Sequence, residues 1–185
     1  MAVQIKASLD RTTVAQLLAE LTPLTIDLDE DDSQGRWIQI GVPDGLEFIA
    51  GRGIRIHTTA RLQWTVAGLN VPVTISSLSM LLAPVIAPSP SGGRLNLEAT
   101  LEEADLKHVP ELIEEGIVAR VNARLAARPD AFGWDFGKTL ALHKALPASM
   151  APVHGFEMNA HDGALEIDSQ AVWLSVELSM HFLRG

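Results

Sequence analysis

The residues able to do chemistry in this chain are six histidines, 23 acidic side chains and the hydroxyls, because cysteine is absent. That absence excludes disulfides, thiolate metal sites and cysteine nucleophiles, and leaves the redox compartment open. His57, His108, His143, His154, His161 and His181 are scattered. None pairs with another four residues on across a glutamate, the helical spacing that brings two imidazoles onto one zinc. His161-Asp162 copies a dipeptide of metal-dependent phosphohydrolases. Asp162-Gly163 reads as a hairpin turn, however, which makes the pair a matter of chain reversal. Asp27, Asp29, Glu30, Asp31 and Asp32 offer the clustered oxygens that Ca²⁺ favours, but without the central glycine and terminal glutamate of a helix-loop-helix calcium site. A solvated acidic loop is expected.

Three further patterns resolve in the same way. Asp135-Phe136-Gly137 mimics a kinase metal-binding motif, yet no glycine-rich loop or catalytic-loop triplet accompanies it. It reads as an aromatic anchor beside a turn. Gly51-Arg52-Gly53 resembles half of a dinucleotide fingerprint, but a strand follows it instead of the helix N-terminus that would hold a phosphate. It reads as a turn. No Gly-x-Ser-x-Gly elbow exists. The expectation is no catalytic residue, no metal ligand and no cofactor.

The elements that would position any site are more telling. A chain of 185 residues fits one domain, residues 1–185, with a substantial core. Apolar residues make up 47% of it and aromatics 5%, so its interior is aliphatic. A net charge of −9 argues against nucleic acid as a partner and against electrostatic docking on anionic membranes. No run approaches the ~20 apolar residues of a membrane span, so stable membrane insertion is not expected. No basic segment followed by an apolar run opens the sequence. A cytoplasmic protein is expected, or a periplasmic one if the sequence is a processed form.

Val3, Ile5, Ala7 and Leu9 alternate as a strand, and Asp10 is placed to cap a helix. Val14, Leu17, Leu18 and Leu21 give that helix one apolar stripe, and Thr22-Pro23 ends it. Strands are expected at 36–40 and 46–49. From Gly53, residues Ile54, Ile56, Thr58, Ala60, Leu62, Trp64 and Val66 form one dry strand face. Gly68-Leu69-Asn70 reads as a turn, and the return strand changes face at Ser76-Ser77, which predicts a bulge. The strand with Leu95, Leu97, Ala99 and Leu101 follows the turn at 88–93. Pro110 then opens a longer helix with an apolar arc of Val109, Leu112, Ile113, Ile117, Val121 and Leu125. A mixed segment follows from 132 to 152. Phe156, Met158 and Ala160 lead to the Asp162-Gly163 turn, Leu165 and Ile167 follow it, and Val172 to Phe182 alternate as the closing strand.

This order of elements resembles the tubular lipid-binding (TULIP) superfamily, which includes the bactericidal/permeability-increasing protein-like domains. The resemblance runs through Val3 to Leu21, Gly53 to Ile86, and Gly92 to Ala126 with its Glu-Ala-Asp-Leu-Lys-His-Val-Pro lead into the helix. Asp135 to Pro147 and Phe156 to Leu178 complete it. It implies an α+β fold in which a long curved antiparallel sheet wraps a long mid-chain helix, with a second amphipathic helix near the N-terminus. It also implies binding or transport of a lipid or fatty-acid-like ligand in an apolar groove, without catalysis. Lining residues are proposed from the dry faces: Leu62, Trp64 and Val66, Ile113, Ile117 and Val121, and Leu174, Val176 and Leu178. The alternative is a protein-interaction or scaffold domain with a filled core, and a protein partner or a homodimer is compatible with either. A helix-grip domain ranks lower, because that architecture keeps its long helix at the C-terminus.

Overall fold

The computed structural model describes residues 2–29, 35–66, 69–106, 111–127 and 133–184, with all their side chains but those of 66 and 111–113. The chain opens with β1 (Ala2–Asp10), α1 (Arg11–Leu21), β2 (Leu24–Asp27), β3 (Trp37–Ile40) and β4 (Gly45–Ile49). The long strands β5 (Gly53–Val66), β6 (Leu69–Ser89) and β7 (Gly92–Asp105) follow, and then α2 (Glu111–Ala126). The chain closes with β8 (Gly133–Trp134), α3 (Phe136–Leu140), β9 (Leu142–Ala145), β10 (Val153–Ile167) and β11 (Ala171–Arg184). The strands form two antiparallel sheets and not the single sheet expected. One runs β2-β3-β5-β6-β7-β8 with β4 also on β5, and the other runs β1-β11-β10-β9. This is a sheet-dominated α+β fold.

Alternation dictates β5. Ile54, Ile56, Ala60 and Leu62 are buried on one face, while Thr59 and Arg61 on the other are exposed. Thr58 is the polar member of the dry face, and its hydroxyl has a task. β3 pairs with residues 60–63 of β5 and β4 with residues 53–57, so the neighbouring chain breaks between them. The Thr58 hydroxyl donates there, 3.0 Å from the Gly41 carbonyl and 3.2 Å from that of Val42. It supplies a donor to two carbonyls that no strand reaches.

The bulge expected at Ser76-Ser77 is present. Between the pairs Thr58–Leu78 and Ala60–Ile75, β6 carries one more residue than β5. Leu69 and Asn70, expected in a turn, already pair with Val66 and Thr65. Asp162-Gly163 is also not a turn. It lies inside β10, where the register shifts between Ala160 and Asp162 and leaves His161 as the extra residue. The apolar face changes parity from Ala160 to Leu165, which marks an inserted residue and not a reversal. The reversal falls at Asp168, whose carboxylate accepts from the amides of Gln170 (2.6 Å) and Ala171 (2.8 Å).

α1 starts where the sequence places it. The Asp10 carboxylate accepts from the Thr13 amide at 2.8 Å, and that bond holds its pKa below the ordinary value. Thr22 closes the helix with both its amide and its hydroxyl donating to the Leu18 carbonyl. Only part of the apolar stripe is used, however. Val14 is buried, whereas Leu17 and Leu21 are 46% and 58% exposed.

α2 ties together two strands that are far apart in sheet order. On one side Arg120 Nε donates to the Leu28 carbonyl (3.0 Å), Arg124 Nε to that of Asp27 (3.2 Å), and Arg124 Nη2 to that of Asp29. On the other side Asn122 pairs with Leu101 of β7 as a strand would. Its Oδ1 accepts from the amide at 2.7 Å and its Nδ2 donates to the carbonyl at 3.0 Å. Four strand spacings separate β2 from β7, about 19 Å if the sheet were flat. One helix is ~10 Å across. The sheet therefore curls, bringing both strands onto α2.

The second sheet is joined to the first around α3. Phe136 is fully buried among Ala160, Leu174, Val176 and Leu178. Its ring is seated on glycines: a Cβ at Gly93 would lie 2.2 Å from Phe136 Cζ, and one at Gly163 would lie 2.9 Å away. The expected aromatic anchor is thus a bridge between β7 and β10. Asp135 caps α3 by accepting from the Lys138 amide at 2.7 Å.

Candidate apolar binding pocket

The interior of the curled sheet is not uniformly filled. Near the middle of α2, Ile117 and Val121 are each 1% exposed and meet Leu62, Ile75 and Leu78 in one continuous cluster. Packing loosens toward the C-terminal end of the helix. A pocket opens there between Leu125 of α2, Leu18 and Leu21 of α1, and Leu24 and Ile26 of β2. Its floor is the sheet, through Ile40, Ile56, Met80, Leu82, Leu97 and Ala99. The open space at its centre is about 70 Å³. Thr22 is the single polar residue of the lining, and its hydroxyl is already committed to Leu18. Such a wall cannot move protons or hold charge; it can only remove apolar surface from water.

α1 forms one side of this pocket and is poorly seated. A second hollow of about 320 Å³ lies along its neighbouring face, between Ala15 and Ala19 and the segment from Val42 to Leu46. The helix is held by buried Val14, by half-buried Leu18 against the core and by Arg11, whose Nη1 donates to the Leu46 carbonyl.

The polar constellations are structural ties. Asp29, 4% exposed, receives Arg36 Nη2 at 2.6 Å, Arg36 Nε at 2.7 Å and the Arg36 amide at 3.0 Å. Burial pushes its carboxyl up, but the Arg36 hydrogen bonds and charge outweigh that and hold it below its ordinary value. The acidic segment is therefore not wholly solvated as expected: Asp29 is a buried ion-pair partner, while 30–32 lie outside the described residues. Ser91 Oγ lies 2.8 and 2.9 Å from the two Asp135 oxygens. With the Lys138 amide first and Ser91 second, Asp135 is held below its ordinary pKa, as a capping residue needs and a general base does not. His143 and Glu157 pair across strands at 3.0 Å on the exposed face. Among the described residues, no three His, Asp or Glu side chains are grouped to hold a metal, and no helix is long and apolar enough to cross a membrane.

The residues proposed from the dry faces are placed as follows. Leu62, Ile117 and Val121 meet in the filled part of the first core. Trp64 is half-buried, with the Arg36 guanidinium 5.2 Å from its ring centre. Leu174, Val176 and Leu178 belong to the second core with Phe136, away from α2. The side chains of Val66 and Ile113 lie outside the described residues. None of the described ones lines the pocket. Sequence reasoning found Leu18, Leu21 and Leu125 as helix stripes, but nothing in a stripe tells which end its partners leave open.

No protein-family model matches the chain, and no curated protein does. Among solved structures the chain is similar to one described as "Crystal structure of lipopolysaccharide binding protein", with 11% sequence identity and a TM-score of 0.32. The match covers 92% of this chain and 46% of that one, so this chain spans less than half of that protein's length.

Proposed function

We propose that the chain binds a lipid or another hydrophobic ligand in the pocket between α1, the end of α2 and the curled sheet, as a single TULIP-like domain acting without catalysis. The observation that carries this reading is the pocket itself, whose lining is apolar but for one committed hydroxyl. Each methylene transferred into such a site gains about 0.8 kcal/mol, so no charged clamp is needed to hold an acyl chain. The open space of about 70 Å³ is smaller than the ~150 Å³ that admits a benzene ring. A whole acyl chain therefore requires α1 to lift, carrying Leu18 and Leu21 outward. Loose seating of α1 and exposure of Leu17 and Leu21 make that movement inexpensive. In this reading the cluster of Leu62, Trp64, Ile117 and Val121 forms the closed end of the tube, and Leu174, Val176 and Leu178 support it from the second sheet.

Native mass spectrometry of the purified protein, with titration of a fluorescent fatty acid, tests the reading. Wild type should carry or take up ligand, and Ala99→Phe, which places a ring in the pocket, should abolish uptake while melting as a folded protein. Absence of ligand and of fatty-acid uptake in wild type would sink the reading and favour a filled-core interaction domain.

A further inference from the structure

Antiparallel sheets end in strands whose outer amides and carbonyls are unpaired, and proteins blunt such edges by shortness, proline, bulges, charge or cover. In the curled sheet the β2 side is met by α2. In the second sheet β9 is a short edge of four residues. On β1, the opposite edge, the one such protection is charge, at Lys6 and at the terminal Asp10. The strand is nine residues long and contains no proline. It runs with β11 in unbroken register from Ala2–Ser179 to Asp10–Ala171, so no bulge turns it away. Among the described residues, no strand pairs with its outer side.

Its side chains are as open as its backbone. Val3, Ile5, Ala7 and Leu9 face the same way as Leu178, Val176, Leu174 and Val172, which are buried. Ile5 and Leu9 are nevertheless 42% and 36% exposed. The charge pattern is equally specific. On a chain of net charge −9, residues 2–9 contain no acid and one base, Lys6. Lys6 is already engaged, 4.8 Å from the centre of the Trp173 ring and 4.0 Å from Glu166. An acidic protein approaching a copy of itself meets little repulsion along this line.

We propose that two copies of this chain associate through β1, antiparallel about a two-fold axis normal to the sheet, making one continuous sheet of the two four-stranded ones. The sequence selects the register. Centring the axis on Lys6 would set the two ammonium groups opposite each other, which is unfavourable. Centring it on Ala7 would run the partner strand alongside α1, which begins at Arg11. Centring it on Ile5 avoids both and pairs residues 2–8, whereas a centre at Gln4 would pair only residues 2–6. Ile5 then faces Ile5 of the partner subunit, Val3 faces Ala7 of the partner subunit, and Lys6 faces Gln4 of the partner subunit. This two-fold self-complementarity favours a second copy over a foreign strand, and the proposal stands whether or not the pocket takes a lipid.

The chain's lack of cysteine makes a clean test possible. Sedimentation of the full chain at micromolar concentration should give twice 19.9 kDa, and Ile5→Arg should return it to 19.9 kDa. Because Ile5 is 42% exposed in a single copy, that variant should keep the circular dichroism of a folded protein, and fatty-acid uptake should be unaltered. Under mild oxidation Ile5→Cys should form a covalent dimer, since directly opposed strand residues bring their Cβ atoms within reach of a disulfide. Leu9→Cys, which has no opposed copy of itself, should not. A monomer at every concentration, or a dimer that Ile5→Arg leaves intact, would overturn the proposal. Equal cross-linking of Leu9→Cys would overturn the register.

Discussion

Around Phe136 an aromatic ring sits directly on backbone: Gly93 and Gly163 have no room for a Cβ against it, and the ring is fully buried. Along α2, aliphatic side chains from a helix and a curled sheet must meet across a wider gap. They close it at Ile117 and Val121 but leave about 70 Å³ near Leu125. The two interiors use the same kinds of contact and differ in what limits the fit. A flat ring against glycine is set by covalent geometry. Branched chains on a curved surface diverge as they leave the helix end, and the gap there is covered only by the loosely held α1.

The comparison can be broken most forcefully at Phe136. Phe136→Ala leaves a cavity walled by backbone that cannot collapse, and should cost about 3–5 kcal/mol in denaturant melts. A loss below ~1 kcal/mol would show that the socket relaxes as freely as the pocket. Next in size is the buried Asp29–Arg36 tie. Hydrogen bonds to a charged group contribute about 1.5–3 kcal/mol, and the folded-state pKa of Asp29 lies below its ordinary 3.8. The sign follows: its contribution is fully present above that ordinary value and is lost as pH falls through the lower folded-state value. Melts of wild type and Asp29→Asn should therefore converge on acidification below about pH 4, and parallel curves would remove the tie from the acid response.

Ile117→Trp comes third. In the filled stretch of α2 its extra volume should cost about 1–3 kcal/mol; stability equal to wild type would place open space at the middle of the helix. The smallest effect is expected at Ala99→Val, on the floor of the pocket. One added methyl carbon on each branch has space to occupy, so stability should change by less than about 1 kcal/mol. A cost matching that of Ile117→Trp would mean that the two regions are equally full.

Local structure was legible wherever one signal dominated. Alternation marked β5 and β11, the Asp10 cap fixed the start of α1, and the change of face at Ser76-Ser77 located a bulge. At Asp162-Gly163 the turn preference of the dipeptide points to a reversal, and the structure instead carries the strand through with a change of face. β2 escaped notice because four residues after Pro23 alternate too briefly to stand out. The division into two sheets was not legible, since alternation reveals that a face is dry and not which dry face it meets. Leu174, Val176 and Leu178 meet Phe136, not Ile117, for that reason. The pocket escaped for a related reason: a void is a property of partners at a distance, and Leu18 reads the same whether Leu97 fills the space beside it or not.

Arg120, Arg124 and Asn122 hold the curled sheet through main-chain atoms of residues 27–29 and 101. A carbonyl oxygen is present whatever side chain the residue carries. Closure is therefore asymmetric in its tolerance of substitution. The strand positions can drift without weakening these bonds, as long as the backbone path is kept, while each of the three helix positions must retain its donor. Side-chain identity therefore matters to closure only on the helix, and the demands on Leu28, Asp29 and Leu101 come separately, from their own burial.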